Sequence, residues 1–313
     1  MSTTAVVLSK PCTLELAEVT LSERQPSDIV VDILWSGIST GTEKLLYEGR
    51  MPSFPGMGYP LVPGYEAVGI VSDAPEGAGR KVGDMVFVPG ARCYEGVNGL
   101  FGASASQVQV CSSRTYRVPD ALGEQGVLLA LAATAHHAIA IGGARAPELV
   151  IGHGVLGRLI ARIIVALGHP APVVWEANPQ RRAGDHPYQV IAPDSDGNAG
   201  YRAILDASGD HEILDKVIPH LAQNGIITLA GFYHLPLSFV FPPAFMREAQ
   251  FRIAAQFKPE NVVEVLRLID SGTLSLDGLI THRMAAADAP RAYEIAFGDP
   301  DCLKMVLNWR SVS

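Results

Sequence analysis

The chain has 313 residues, with 24 Lys+Arg against 32 Asp+Glu and a formal charge of −8. At roughly 100–200 residues per domain, that length suggests two domains, each able to bury a core. A composition of 48% hydrophobic and 18% charged residues is that of a globular chain, and its acidic balance argues against a nucleic-acid partner. No apolar run approaches the ~20 residues needed to cross a bilayer, and the start MSTTAVVLSK does not read as a signal peptide. Cys12, Cys93, Cys111 and Cys302 form no C-x-x-C pair, a usage that suits a reducing cytoplasm and offers no disulfide framework.

Residues 1–118 read as short strands separated by turns. Apolar and β-branched runs predict strands at 29–35, 63–71, 83–89 and 106–110, together a small antiparallel barrel or sandwich. Residues 125–141 are rich in Ala and Leu and predict a buried helix. A strand at 148–151, a glycine loop and a helix at 158–167 follow. Further strands are predicted at 173–175, 188–191, 203–205, 225–229 and 251–254, with helices at 211–221 and 261–269. Strands alternating with helices imply a parallel sheet. Between 175 and 188 there is no room for a full crossover helix. The tail predicts a strand at 279–280, a helix at 290–297 and a last strand at 304–307. The fold class is therefore α/β: a β-rich domain over 1–118, completed by 270–313, and a doubly wound parallel-sheet domain over 119–269.

Gly152, Gly154 and Gly157 follow an apolar strand and open a helix, the setting in which G-x-G-x-x-G binds a dinucleotide. The glycines allow a tight turn and close approach of a pyrophosphate. Free N–H groups at Val155 and Leu156, on the helix N-terminus, supply its hydrogen bonds. The second strand ends at Glu176, where an acid accepts from both ribose hydroxyls and repels a 2′-phosphate. That favours NAD over NADP, although Arg181 and Arg182 follow closely and could hold a phosphate.

The chain resembles the medium-chain dehydrogenase/reductase superfamily along essentially its whole length. The marks are Gly41-Thr42-Glu43, Pro63-Gly64-Tyr65-Glu66 with Gly69, Thr134-Ala135-His136-His137-Ala138, the glycine loop, Asp206-Ala207-Ser208-Gly209 and Leu303-Lys304-Met305-Val306. The resemblance implies a GroES-like barrel domain, which carries the catalytic groups, paired with a Rossmann domain. Zinc members carry Cys where this chain has Thr40 or Ser39, and His where it has Tyr65. Only Cys93 remains of the lobe that holds a structural zinc. Hydroxyls are poor substitutes for these ligands, and adjacent helical His136 and His137 point about 100° apart, so no metal is expected. The stretch 37–66 resembles a zinc-lacking branch of that superfamily, which acts on chlorin-type macrocycles of bacteriochlorophyll biosynthesis. It implies oxidation of a 3-(1-hydroxyethyl) group to acetyl, with a tetrapyrrole as substrate.

Without a metal, protein groups must take the alcohol proton, by general-base catalysis typically worth 10²–10⁴-fold. The resemblance makes Thr42 the proton relay, places Thr134 at the nicotinamide and Lys304 on the pyrophosphate, and counts Ser208 among the cofactor-binding residues. Tyr65 could hydrogen-bond the developing alkoxide, and His137, titrating near neutrality, is the expected final base. Glu66 is expected to hold its loop and Lys44 to polarise the site or lie in solvent. Tyr47, Met51, Phe54, Tyr59 and Phe232 could form an apolar wall for a flat macrocycle, or simply close a core. Two rival readings stay open: an NADPH-dependent quinone or enone reductase, and a non-catalytic nucleotide-binding protein. Assembly as a homodimer is a further expectation.

Overall fold

Strand Asp28–Ile38 is the spine of the β-rich unit. Its β-branched run buries Ile29, Val31 and Ile33, while its edges pair antiparallel with Ala67–Asp73, Gln107–Cys111 and Met305–Asn308. Seven strands join in this sheet, and a second sheet of four contains the hairpin Ser2–Lys10 and Thr13–Thr20. The computed structural model describes residues 1–53, 56–143 and 145–312. Within it the chain divides into Met1–Ala130 with Asp277–Ser313, and Leu131–Leu276.

The first unit extends beyond the expected boundary at 118. The predicted helix at 125–141 is preceded by a 3-10 segment, Asp120–Leu128, which packs on strands Asp28–Ile38, Ala67–Asp73 and Met85–Val88 and so belongs with the barrel. The α-helix itself is Leu129–Ile141. The C-terminal strand pairing returns the tail to the first unit, but the strand expected at 279–280 is absent. Leu279 and Ile280 are buried as anchors, and the ladder starts at His282, in the strand His282–Ala285 parallel to Met305–Asn308.

The second unit is a six-stranded parallel sheet. In spatial order its strands are Gln189–Ile191, Val173–Trp175, Leu149–Ile151, Tyr201–Asp206, Leu221–Leu229 and Gln250–Ile253, the 3-2-1-4-5-6 order of a Rossmann fold. The strands run in one direction, but the order in which they are added reverses between Leu149–Ile151 and Tyr201–Asp206, and ligands of such sheets bind at the carboxyl ends beside that point. Only a single helical turn, Pro179–Arg182, connects the second and third strands. Among the described residues no helix is long and apolar enough to cross a membrane.

Candidate active site

Three hydroxyls converge in the first unit. Ser39 follows strand Asp28–Ile38, Thr42 opens the helix Thr42–Tyr47, and Tyr65 precedes strand Ala67–Asp73. Antiparallel pairing brings them together: Ser36 lies opposite Ala67, and the Gly37 N–H donates to the Glu66 carbonyl at 2.7 Å. Gly37 is required there, because a Cβ would overlap the Glu66 carboxylate. Tyr65 OH and Ser39 Oγ share a 2.7 Å hydrogen bond, and the Thr42 side chain favours the charged phenol. Burial, and then the charge of Glu66, push the Tyr65 phenol above its ordinary value, so it stays a neutral hydroxyl. Its ring meets Phe101 edge-on at 5.4 Å.

Beneath the hydroxyls lies a buried charged cluster. Lys304 Nζ pairs with Glu66 Oε2 at 2.6 Å and donates to the Ile38 carbonyl at 3.2 Å. Tyr293 OH donates to Glu43 Oε2 at 2.7 Å. Glu43 and Glu66 are fully buried, and Oε1 of each has no hydrogen-bond partner among the described residues. Burial pushes the Glu43 carboxyl up to about 8, with the Tyr293 bond opposing and Glu66 adding to the rise.

The ammonium of Lys304, expected on a pyrophosphate, is therefore held by Glu66 and Ile38. Lys44 donates to the Phe297 carbonyl at 3.0 Å instead of lying in solvent. Among the described residues no group of three or more His, Cys, Asp or Glu side chains could hold a metal ion. The expected apolar wall is dispersed. Met51 is buried with Leu8, Leu46 and Leu61, with Tyr47 and Tyr59 packed partly against that cluster. Tyr59 OH bonds the Leu46 carbonyl, and the Tyr47 ring meets Phe297 at a tilt, 5.5 Å between centroids. These three join a satellite core, apart from the main core of the unit, because their side chains pack on apolar neighbours. Phe232, in the Rossmann unit, is half exposed, and Phe54 lies outside the described residues.

The glycine loop fits a dinucleotide. Gly157 packs so closely on Gly152 that a Cβ would overlap the Gly152 carbonyl, whereas a Cβ on Gly154 would meet nothing within 4 Å. No side chain caps the helix Val155–Ala166 at Gly154, leaving its first N–H groups, including those of Val155 and Leu156, for an anion. Ser208 lies against Gly152 and donates its N–H to Asp206 Oδ1 at 2.9 Å. Tyr233 OH also bonds Asp206, whose burial raises its carboxyl. Glu176 stands at the end of its strand, with Oε2 accepting from His153 N at 3.0 Å and Oε1 from Asn178 N at 2.8 Å. Arg182 donates to the carbonyls of Glu176 at 2.9 Å and Ala177 at 2.8 Å.

His153 is the residue that sequence reasoning left without a role. It is fully buried, donates from Nδ1 to the Arg181 carbonyl at 2.7 Å and accepts from Tyr188 OH at Nε2, 3.1 Å away. Burial pulls its imidazole down to about 4. It ties the glycine loop to the segment after Glu176, in place of the missing crossover helix. His136 accepts from Asn261 Nδ2 at 3.0 Å. His137 is buried, and burial and then Lys258 lower its imidazole, with Glu260 opposing. Thr134 is half-buried on the same helix.

Residues 25–140 match the family profile of the alcohol dehydrogenase GroES-like domain. The 2-desacetyl-2-hydroxyethyl bacteriochlorophyllide A dehydrogenase of Cereibacter sphaeroides is 52% identical, with all of both chains covered. The protein of the same name from Rhodobacter capsulatus is 50% identical over 99% of each chain. An alcohol dehydrogenase from E. coli CFT073, solved with NADH, superposes with a TM-score of 0.82 at 20% identity, covering 98% of this chain and 99% of its own; at that identity the likeness is one of fold. The chain belongs to the family of the bacteriochlorophyllide dehydrogenases, within the GroES-like medium-chain dehydrogenase/reductase superfamily.

Proposed function

We propose that the protein oxidises the 3-(1-hydroxyethyl) group of a chlorophyllide or bacteriochlorophyllide to 3-acetyl, with NAD as hydride acceptor and no zinc. The observation that carries the reading is full-length identity of 52% and 50% to two dehydrogenases named for a hydroxyethyl bacteriochlorophyllide. Gly152, Gly154, Val155, Leu156, Gly157 and Ser208 are the residues that would hold the cofactor phosphates and nicotinamide side, with Thr134. Glu176 supports NAD over NADP, since its acidic side chain at the strand end repels a 2′-phosphate, and Arg182 is engaged by the Glu176 and Ala177 carbonyls. Bound NAD supplies the acceptor for the carbinol hydride.

Loss of hydride must be matched by loss of the hydroxyl proton. In zinc enzymes a bound metal acidifies the alcohol; Ser39, Thr42 and Tyr65 offer hydroxyls, which bind zinc poorly but donate and accept protons readily. Tyr65, kept neutral, donates a hydrogen bond to the alcohol oxygen as negative charge develops. Thr42 accepts the alcohol proton and passes it on. A hydroxyl cannot keep that proton, so the relay needs a further acceptor.

Assembly as a homodimer is supported by the edge strand Gln250–Ile253, whose Ile253 is 77% exposed, and by the exposed Phe241, Phe245 and Met246 of the same unit. Sedimentation at micromolar concentration tests it, with Ile253→Lys expected to give monomers.

The decisive assay follows macrocycle absorbance with a hydroxyethyl chlorophyllide and a hydroxyethyl bacteriochlorophyllide, each with NAD and with NADP. Acetyl product formed with NAD supports the reading. Turnover of a quinone or enone with NADPH, and none of the alcohol, would replace it with a reductase. NAD binding without any turnover would leave a nucleotide-binding protein.

A further inference from the structure

The single helical turn Pro179–Arg182, which stands between the second and third strands of the parallel sheet, is held at both ends by hydrogen bonds that return to the glycine loop. Asn178 caps its start: Oδ1 accepts from Gln180 N at 2.9 Å, and Asn178 N donates to Glu176 Oε1 at 2.8 Å. So short a helix leaves its last carbonyls without partners of its own. The Arg181 carbonyl takes two donors instead, His153 Nδ1 at 2.7 Å and Arg158 Nη2 at 3.1 Å. His153 N in turn donates to Glu176 Oε2 at 3.0 Å. The bonds form a closed circuit, from Glu176 to Asn178, through the turn to Arg181, to the His153 ring and back to Glu176. Both Glu176 oxygens are fixed by it, and a carboxylate has lone pairs to spare for further donors.

A carbonyl only accepts, so His153 Nδ1 carries the proton, and Nε2 accepts from Tyr188 OH at 3.1 Å. Only the neutral imidazole plays both parts. The groups facing the ring are Arg158 and Arg162 from helix Val155–Ala166, the Arg181 backbone, His186 edge-on at 4.7 Å, and Tyr188 ahead of strand Gln189–Ile191. Burial holds the ring neutral, with Arg158, His186 and Arg162 adding and the Arg181 carbonyl opposing. Resting on the reading of Glu176 as the ribose ligand of bound NAD, we propose that His153 is a positioning residue for cofactor choice. Its Nδ1–H, by holding the Arg181 carbonyl, keeps the Glu176 carboxylate set for the two ribose hydroxyls and against a 2′-phosphate. The role needs no contact between His153 and the cofactor. The ring does here what a crossover helix ordinarily does between parallel strands.

Two variants that each imitate one ring nitrogen separate this role from a general structural one. The amide of His153→Asn stands near the Nδ1 position and still donates to the Arg181 carbonyl. That of His153→Gln stands near the Nε2 position and leaves the carbonyl without its donor. Calorimetry with ADP-ribose, NAD and NADP should find His153→Gln at least tenfold weaker for ADP-ribose and NAD, roughly the scale of one lost hydrogen bond. NADP should lose less, so the preference for NAD shrinks. His153→Asn should keep the wild-type NAD-to-NADP ratio. Nitrogen NMR of histidine-labelled wild type reads the tautomer directly. The His153 proton should sit on Nδ1, and the ring should stay neutral at about pH 5.5, where an exposed histidine is mostly protonated. Equal effects of the two amides on the NAD-to-NADP ratio overturn the proposal, as does a His153 proton on Nε2. The tautomer is read on the wild type, so it decides even where His153→Gln does not fold. A wild type that itself prefers NADP refutes the Glu176 reading before any variant is made, and this role with it.

Discussion

Lys304 Nζ and Glu66 Oε2 meet at 2.6 Å, both side chains buried, although 238 positions separate them in the chain. This pair fastens the C-terminal segment to the turn that carries Tyr65. Removing one partner of a buried pair leaves the other uncompensated, at about 3–5 kcal/mol. Lys304→Met and Glu66→Gln should each lose about that much in urea unfolding. The double variant should lose less than the sum of the singles, because it leaves no unpaired charge. Additive losses would mean that the two groups do not form a pair.

A second expectation concerns metal. With Thr40 or Ser39 where zinc members carry Cys, and Tyr65 where they carry His, the purified protein should carry no stoichiometric zinc and keep its activity in chelator. One zinc per chain by elemental analysis, with chelator inactivation, would refute this.

A third concerns cofactor choice. Glu176 also holds the His153 and Asn178 N–H groups, so Glu176→Ala would disturb the loop as well as the ribose contact. Glu176→Gln keeps an acceptor and removes the charge. NAD binding should weaken by about 1–3 kcal/mol, the scale of a hydrogen bond to a charged group, and NADP should lose less or gain. Equal losses for the two cofactors in calorimetry would dissociate Glu176 from the choice.

A fourth is a stability effect of pH. The His153 imidazole falls from 6.5 to about 4 on folding. Between those values the unfolded chain binds the proton that the folded chain does not. The contribution is therefore complete above about pH 6.5 and lost as pH falls toward 4, at most about 3 kcal/mol. His153→Asn keeps a donor for the Arg181 carbonyl but does not titrate. Its unfolding free energy should fall less steeply than wild type between pH 6.5 and 4. Parallel slopes would show that His153 is not the titrating group.

The parts of the fold that sequence made legible are those with a local period. The strand–glycine loop–helix unit at 149–166 has one, as do the Ala67–Asp73 and Asp28–Ile38 strands. The strand at 282–285 was hidden because its neighbours Leu279 and Ile280 carry the apolar signal, whereas His282 and Arg283 carry the ladder. Met51, Tyr47 and Tyr59 illustrate the limit for sites. Composition marks them as apolar and adaptable, but only tertiary packing assigns them to a core beside Leu8 and Leu61. Glu43 was visible as part of a triplet. Its buried partner, the Tyr293 hydroxyl 250 positions away, has no sequence signature.

The last expectation is the hydroxyl relay itself. Tyr65 bonds Ser39 and is acted on by the Thr42 side chain, so the three hydroxyls are coupled and their losses should not add. Thr42→Val, close to equal in volume, should lower kcat by about 10²-fold or more, the lower end for general-base catalysis. Tyr65→Phe should lower kcat by a similar factor, through loss of the donor to the developing alkoxide. Ser39→Ala removes only a hydrogen bond that orients Tyr65 and should cost less than either. NAD affinity should stay unchanged in all three, because the glycine loop belongs to the other unit. Stopped-flow measurement of the macrocycle absorbance isolates the chemical step from product release. If Thr42→Val keeps the full single-turnover rate while Tyr65→Phe does not, the phenol takes the proton directly. Full rates in both would remove the hydroxyls from the proton path altogether.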